Sequence, residues 1–239
     1  MMDGSGSNHG MPAVRRCSGT IRTSLAGAAF GCALLLTACT PSDQGNPSGG
    51  PTRGSPGTGV PSPVQTPGAC VAAAGATVQD IDPEDSPVPP WNKPAGQELM
   101  VEFSTSQLSA RYAGFVSEAA AIWSESPCLN AVAVQACSTG SNCVLLQEDA
   151  SRSRNTDGEM EWEDSGDYME SATITLFTRP LDRATDNGAL ATIVHEMGHA
   201  LGLDHRLART DVMNSVTDNT TNPTPDAVNF SNLVAIYGS

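Results

Sequence analysis

Three histidines and one glutamate stand within eleven positions, in "HEMGHALGLDH" at 195–205. His195 and His199 are four apart, which places them one turn apart on one face of a helix, about 6 Å of rise between them. Two imidazole nitrogens so placed can meet one zinc ion at about 2.0–2.1 Å each. Glu196 adjoins the first histidine, where its carboxylate can reach a water at the metal without itself being a ligand. Gly202 can take the left-handed backbone that ends a helix and turns the chain back. That turn brings His205 to the metal from outside the helix as a third ligand. A fourth position is left for water and substrate, the mark of a catalytic rather than a structural site. A lone histidine on a helix is more often a satisfied core or surface residue. Here the chain has four histidines, His9 lies upstream of a leader, and the other three all fall in this window.

The elements that must carry these residues are legible in outline. "ELMVEF" (98–103) alternates, with Leu99, Val101 and Phe103 on one side, and reads as a strand. Ser106 is placed to cap a following helix, on which Leu108, Tyr112, Phe115, Ala119 and Ile122 share a face until Pro127 stops it. "AVAVQ" (131–135) and "CVLLQ" (143–147) read as short strands, the second with little alternation and so as a buried one. Residues 148–170 are polar and acidic and read as a solvated loop. A calcium site is the functional alternative there, but no loop with calcium-ligand spacing supports it. "ATITLF" (172–177) is another strand, and "DNGAL" opens the histidine helix with Asp186 or Asn187 as its cap. Strand, helix, strands, helix is an α/β unit with the metal candidate on the last long helix.

Composition sets the surroundings. The chain has 239 residues, and 12 Lys+Arg against 26 Asp+Glu give a net charge of −14, which disfavours a nucleic-acid partner. Arg15, Arg16 and Arg22 precede an uncharged apolar run at 24–38 that is short for a membrane-spanning helix and reads as an export signal. It ends in "LTAC" (36–39), similar to the lipobox of bacterial lipoproteins, which implies lipidation at Cys39 and a place on the outer face of the cell membrane. From Thr40 to Ala69, 22 of 30 residues are Pro, Gly, Ser or Thr, too little apolar surface to fold. The expected organisation is a signal at 1–38, a disordered tether and proline-rich transition at 39–95, and a folded domain at 96–239. Past Cys39 four cysteines remain, Cys70, Cys128, Cys137 and Cys143, an even number that suggests two disulfides with three possible pairings. Cys137 and Cys143 flank the turn-like "STGSN", which makes theirs the easiest to form. An inhibitory metal contact from Cys70 is disfavoured because it would leave an odd cysteine.

H-E-x-x-H-x-x-G-x-x-H followed by a methionine resembles the metzincin signature, and Met213, eight residues past His205, has the spacing of the matrixins. "GHALGLDH" (198–205) and the ending "SNLVAIYGS" (231–239) are also similar to that family. The leader and small size resemble the snapalysin type, which usually carries Asp where this chain has His205. The resemblance implies a small mixed twisted sheet with a long helix and an active-site helix, then a mostly irregular C-terminal part with a methionine turn and a terminal helix. It implies one catalytic zinc on His195, His199 and His205, Glu196 as general base, and Met213 as a floor beneath the ligands. The activity implied is zinc endopeptidase action on protein or peptide substrates, by a monomer. The alternatives are a non-catalytic zinc-binding surface lipoprotein and a zinc amidase acting on cell wall. Two features depart from matrixins: no histidines remain for a second, structural zinc, and no cysteine-switch prosegment is visible.

Overall fold

A computed structural model describes residues 15–17, 69–151 and 156–238. The expected leader and Cys39 fall outside these residues, apart from the backbone of Arg15–Cys17 (β1). The elements that follow are β2 (Leu99–Gln107), α1 (Ala110–Trp123), β3 (Leu129–Val134), β4 (Asn142–Asp149), β5 (Gly158–Ser165) and β6 (Tyr168–Phe177). A single turn, α2 (Thr178–Leu181), leads into α3 (Asp186–Ala200), and α4 (Ala227–Tyr237) ends the chain. The sheet runs in the order β1-β5-β6-β4-β2-β3. β3, β2, β4 and β6 are parallel, whereas β5 returns antiparallel to β6 and pairs with β1. This is the mixed α/β sheet expected. Among the described residues no helix is long and apolar enough to cross a membrane.

The two long helices pack on the sheet and on each other, α1 beside β3 and α3 beside β5 and β6. Phe103, Val144, Leu146, Met160, Trp162 and Ile174 are buried from the sheet, and Val116, Trp123, Ile193 and Val194 from the helices. The buried side of α1 carries Tyr112, Val116, Ala119, Ala120 and Trp123. The stripe is therefore turned relative to the one read from Leu108, Phe115 and Ile122, because Trp123 reaches α3 and donates its indole N–H to the Val194 carbonyl at 3.0 Å.

Several boundaries differ from expectation. β2 runs on through Ser106, so α1 is capped by Ser109, whose backbone is extended. β4 is one-sided: Val144 and Leu146 are buried while Leu145 is 44% exposed. The acidic stretch 148–170 is not a solvated loop; β4, β5 and the start of β6 take up most of it. "GEMEWEDS" puts Met160 and Trp162 into the core and Glu159, Glu161 and Glu163 on the other face, a period of two that the charge count hides. Gly166, at φ 69°, makes the turn into β6. α3 is capped by Thr185, whose hydroxyl accepts the Gly188 N–H at 3.1 Å, and not by Asp186 or Asn187.

The largest departure lies before residue 96. Residues 70–95 are expected as a transition to the folded part, yet they lie against it. Cys70 is joined to Cys128 and Cys137 to Cys143, which settles the pairing and removes Cys70 as a metal ligand. Trp91 is 2% exposed and donates its indole N–H to the Ala200 carbonyl at 2.7 Å. Many of its backbone donors are satisfied, Gln79 by Asn232, Asp82 by the His205 carbonyl and Val88 by Asp204.

Candidate metal centre and active site

α3 is buried on every side from Gly188 to Ala200. His195, Glu196 and His199 are 1%, 1% and 0% exposed, so each polar atom must find a partner inside the protein. The Nδ1–H of His195 donates to the Val212 carbonyl and that of His199 to the Leu203 carbonyl, both at 2.7 Å. Nδ1 of His205 lies 2.6 Å from Asp85 Oδ2. The two carbonyls are acceptors, which assigns the ring proton of His195 and His199 to Nδ1. The Asp85 carboxylate beside Nδ1 of His205, although the contact lacks hydrogen-bond geometry, favours the same tautomer, and a lone pair is left on each Nε2.

Those lone pairs converge. Nε2 of His199 is 3.1 Å from Nε2 of His195 and 3.1 Å from Nε2 of His205. Three acceptor nitrogens at such separations repel one another unless a cation lies between them. Ligands at zinc–nitrogen distances of about 2.05 Å in tetrahedral geometry sit about 3.3 Å apart, close to what is found. Among the described residues this is the one group of three or more His, Cys, Asp or Glu side chains whose ligating atoms converge so. The three histidines fit a zinc ion and can hold it.

The backbone that delivers His205 is the turn expected from the glycine. Gly202 has φ 90°, with its N–H on the His199 carbonyl at 2.8 Å and the Leu203 N–H on the Gly198 carbonyl at 3.1 Å. A β-carbon at 202 would also come within 3.1 Å of the Tyr237 hydroxyl. Met213 is fully buried against α3, and a β-carbon at Gly198 would meet its sulfur at 2.3 Å. Gly198, beside His199, thus lets the methionine turn close on the helix.

Glu196 is fully inside the protein, and its Oε2 has no hydrogen-bond partner. Burial, reinforced by Glu159 and then Asp157, holds its carboxyl well above the usual carboxylate range. Burial alone raises Asp157 to about 6. β5 makes room for Glu196 by having glycine at 158: a β-carbon there would stand 2.7 Å from Glu196 Cγ and 2.8 Å from Oε1.

Arg206, next to the third histidine, is 5% exposed and joins three segments. Its Nη1 donates to Asp211 at 2.6 Å and Asp226 at 2.7 Å, and its Nε and Nη2 to Asp80 at 3.1 and 2.9 Å. Asp211 in turn accepts the Met213 N–H at 2.8 Å, so the methionine turn hangs from the same cluster.

The structure therefore brings together His195, His199, His205, Glu196, Gly202 and Met213, while Cys39 lies outside the described residues. Sequence reasoning missed Asp85, Gly158, Gly198 and Arg206. Gly198 and Arg206 sit in or beside the motif, but their need comes from Met213 and three distant aspartates. Asp85 had one available signal: a disulfide from Cys70 to any other cysteine must carry residues 71–95 against the domain.

Residues 137–238 match the matrixin family model. Comparison with curated proteins returns no match.

Proposed function

From the premise that this chain is a matrixin-like metzincin with a zinc-binding histidine triad, a metallopeptidase, we propose that it is an endopeptidase that uses Glu196 as general base. The observation that supports this most is a buried carboxylate oxygen without a hydrogen-bond partner, Oε2 of Glu196, on the residue next to the first of three converging imidazoles. A zinc ion, when bound, supplies a Lewis acid that acidifies water and polarises the scissile carbonyl. His195, His199 and His205 would hold it, the first two rings fixed by hydrogen bonds from Nδ1 and the third facing Asp85. Glu196 takes the proton of the attacking water on its free oxygen and hands it to the leaving amine nitrogen. Burial raises the proton affinity of that carboxylate, which suits it to the first transfer.

The lipobox-like "LTAC" supports a lipid anchor at Cys39, with the catalytic domain carried outside a bacterial cell membrane as a monomer.

Glu196→Gln tests the chemistry. The variant is expected to retain one zinc per chain and to lose casein cleavage; undiminished cleavage removes Glu196 from the mechanism. Zinc retention by a wild-type chain that cleaves nothing in a broad peptide library would favour a non-catalytic surface lipoprotein instead. Cys39→Ala, expressed in a lipoprotein-processing bacterium, is expected to move the protein from the membrane fraction to the medium.

A further inference from the structure

The three imidazoles are not held alike. His195 and His199 direct Nδ1 to main-chain carbonyls 17 and 4 residues away. His205 sets its Nδ1 2.6 Å from a side-chain carboxylate 120 residues upstream, Asp85, an ion-pair contact without hydrogen-bond geometry. The same oxygen, Oδ2, accepts the backbone N–H of His205 at 3.3 Å, so one carboxylate holds the chain by a hydrogen bond and stands against the ring by charge.

Asp85 is itself built into a strap along the third-ligand loop. The Asp82 N–H donates to the His205 carbonyl at 2.8 Å, and the Leu207 N–H to the Asp80 carbonyl at 3.1 Å, with Ile81 and Arg206 bridged antiparallel between them. Asp80 binds the Arg206 guanidinium. The Val88 N–H donates to Asp204 Oδ1 at 2.8 Å. The strap is pinned beyond both ends, by the Cys70–Cys128 disulfide and by Trp91 on the last turn of α3. None of it lies within the residues that match the family model.

We propose that residues 80–91 complete the metal centre, with Asp85 acting through His205 as a positioning residue for zinc. This rests on the zinc-peptidase reading above. His205 is the ligand most in need of such help. Two ligands ride on a buried helix, whereas the third stands on a loop after a glycine turn, where nothing regular fixes its ring. A carboxylate on Nδ1 fixes the ring's orientation and strengthens Nε2 as a donor, and loss of such a partner typically costs 10–100-fold in metal affinity. A mature chain beginning after Asp85, without the disulfide-held segment before it, would therefore lack a component of its metal site, not a spacer.

The test uses the purified full chain, stripped of metal and titrated with zinc against a chelating dye, and in parallel loaded with cobalt for its visible absorption. Asp85→Ala is expected to weaken zinc about 10–100-fold and to alter the cobalt bands. Asp85→Asn, which keeps the shape and an acceptor oxygen, is expected to fall between the two, with the melting midpoint of its metal-free form unchanged. Asp82→Ala, which removes a carboxylate that binds only the Glu84 N–H, is expected to bind zinc like wild type. Zinc affinity and cobalt bands indifferent to both Asp85 substitutions overturn the inference while leaving the peptidase reading in place. So does an equal loss in Asp82→Ala, since the fold of the strap and not its carboxylate would then matter. A wild-type chain that binds no zinc overturns both. Should Asp85→Ala fail to fold, Asp85→Asn decides alone.

Discussion

The carboxylate of Glu196 depends on an absence, the missing β-carbon at Gly158. Gly158→Ala would press against Glu196 Cγ and Oε1 and push the carboxylate aside. A displacement of about 1 Å at a reacting group can cost about 10²-fold in rate. The expected result is a kcat about 10²-fold lower, with zinc content and KM little changed; a kcat equal to wild type would show that Glu196 has room to spare. The histidines predict a pH dependence. Burial, with the charge of His205 adding, holds His195 down at about 3, and burial chiefly holds His199 well below the imidazole range. In the unfolded chain both titrate near 6.5. Between those values the unfolded chain binds protons that the folded chain does not, so stability is full above about 6.5 and falls as pH drops toward about 3. The same protons compete with the metal. Melting midpoint and bound zinc, followed together from neutral to acid pH, should decline over that window; a flat profile would contradict it.

α3 departs from the usual one-sided helix at the next scale. Buried all round, it leaves no slack where other elements touch it, and Gly198 is one of the two glycines where the approach is tightest. Gly198→Ala would place a methyl group against the Met213 sulfur and against Trp123 Cζ2 at 2.9 Å. Both neighbours are fully buried. Overpacking of this kind costs about 1–3 kcal/mol despite the better helix propensity of alanine. The expected outcome is a lower melting midpoint, read by calorimetry; a higher one would mean that Met213 swings clear freely. β5 and β6 illustrate a different lesson. Their hairpin hides in an acidic stretch because charge density suggests solvent, while the alternation of Met160 and Trp162 with Glu159, Glu161 and Glu163 satisfies both a core and a polar face.

For the whole molecule, the segment ahead of the sheet counts as part of the folded unit. The Cys70–Cys128 disulfide spans 58 residues, and closing a loop of that length is worth about 4 kcal/mol by chain entropy. It also anchors the strap that bears Asp80 and Asp85. Replacing both cysteines by alanine is therefore expected to lower stability by about that amount, measured by urea unfolding, and to weaken zinc binding as well. The pair Cys137 and Cys143, only 6 residues apart, should leave zinc binding unchanged when replaced in the same way. Equal effects of the two replacements on zinc would argue that the strap has no special link to the metal.

The sequence by itself determined the ligand trio, the general-base candidate and the glycine turn. Each of these follows from spacing along one helix and the turn after it, and such geometry is local. It also determined the α/β character, through alternation in 98–103 and the helical repeats around it. Only the tertiary structure decided which groups orient the ligands. Asp85 reaches His205, and Asp80 and Asp226 reach the neighbouring Arg206, from chain positions that no periodicity links to residues 195–206. It likewise decided that residues 69–95 are packed. Their composition lacks the apolar surface to fold unaided, and they are held by a disulfide, a buried tryptophan and borrowed backbone partners on the domain beneath them.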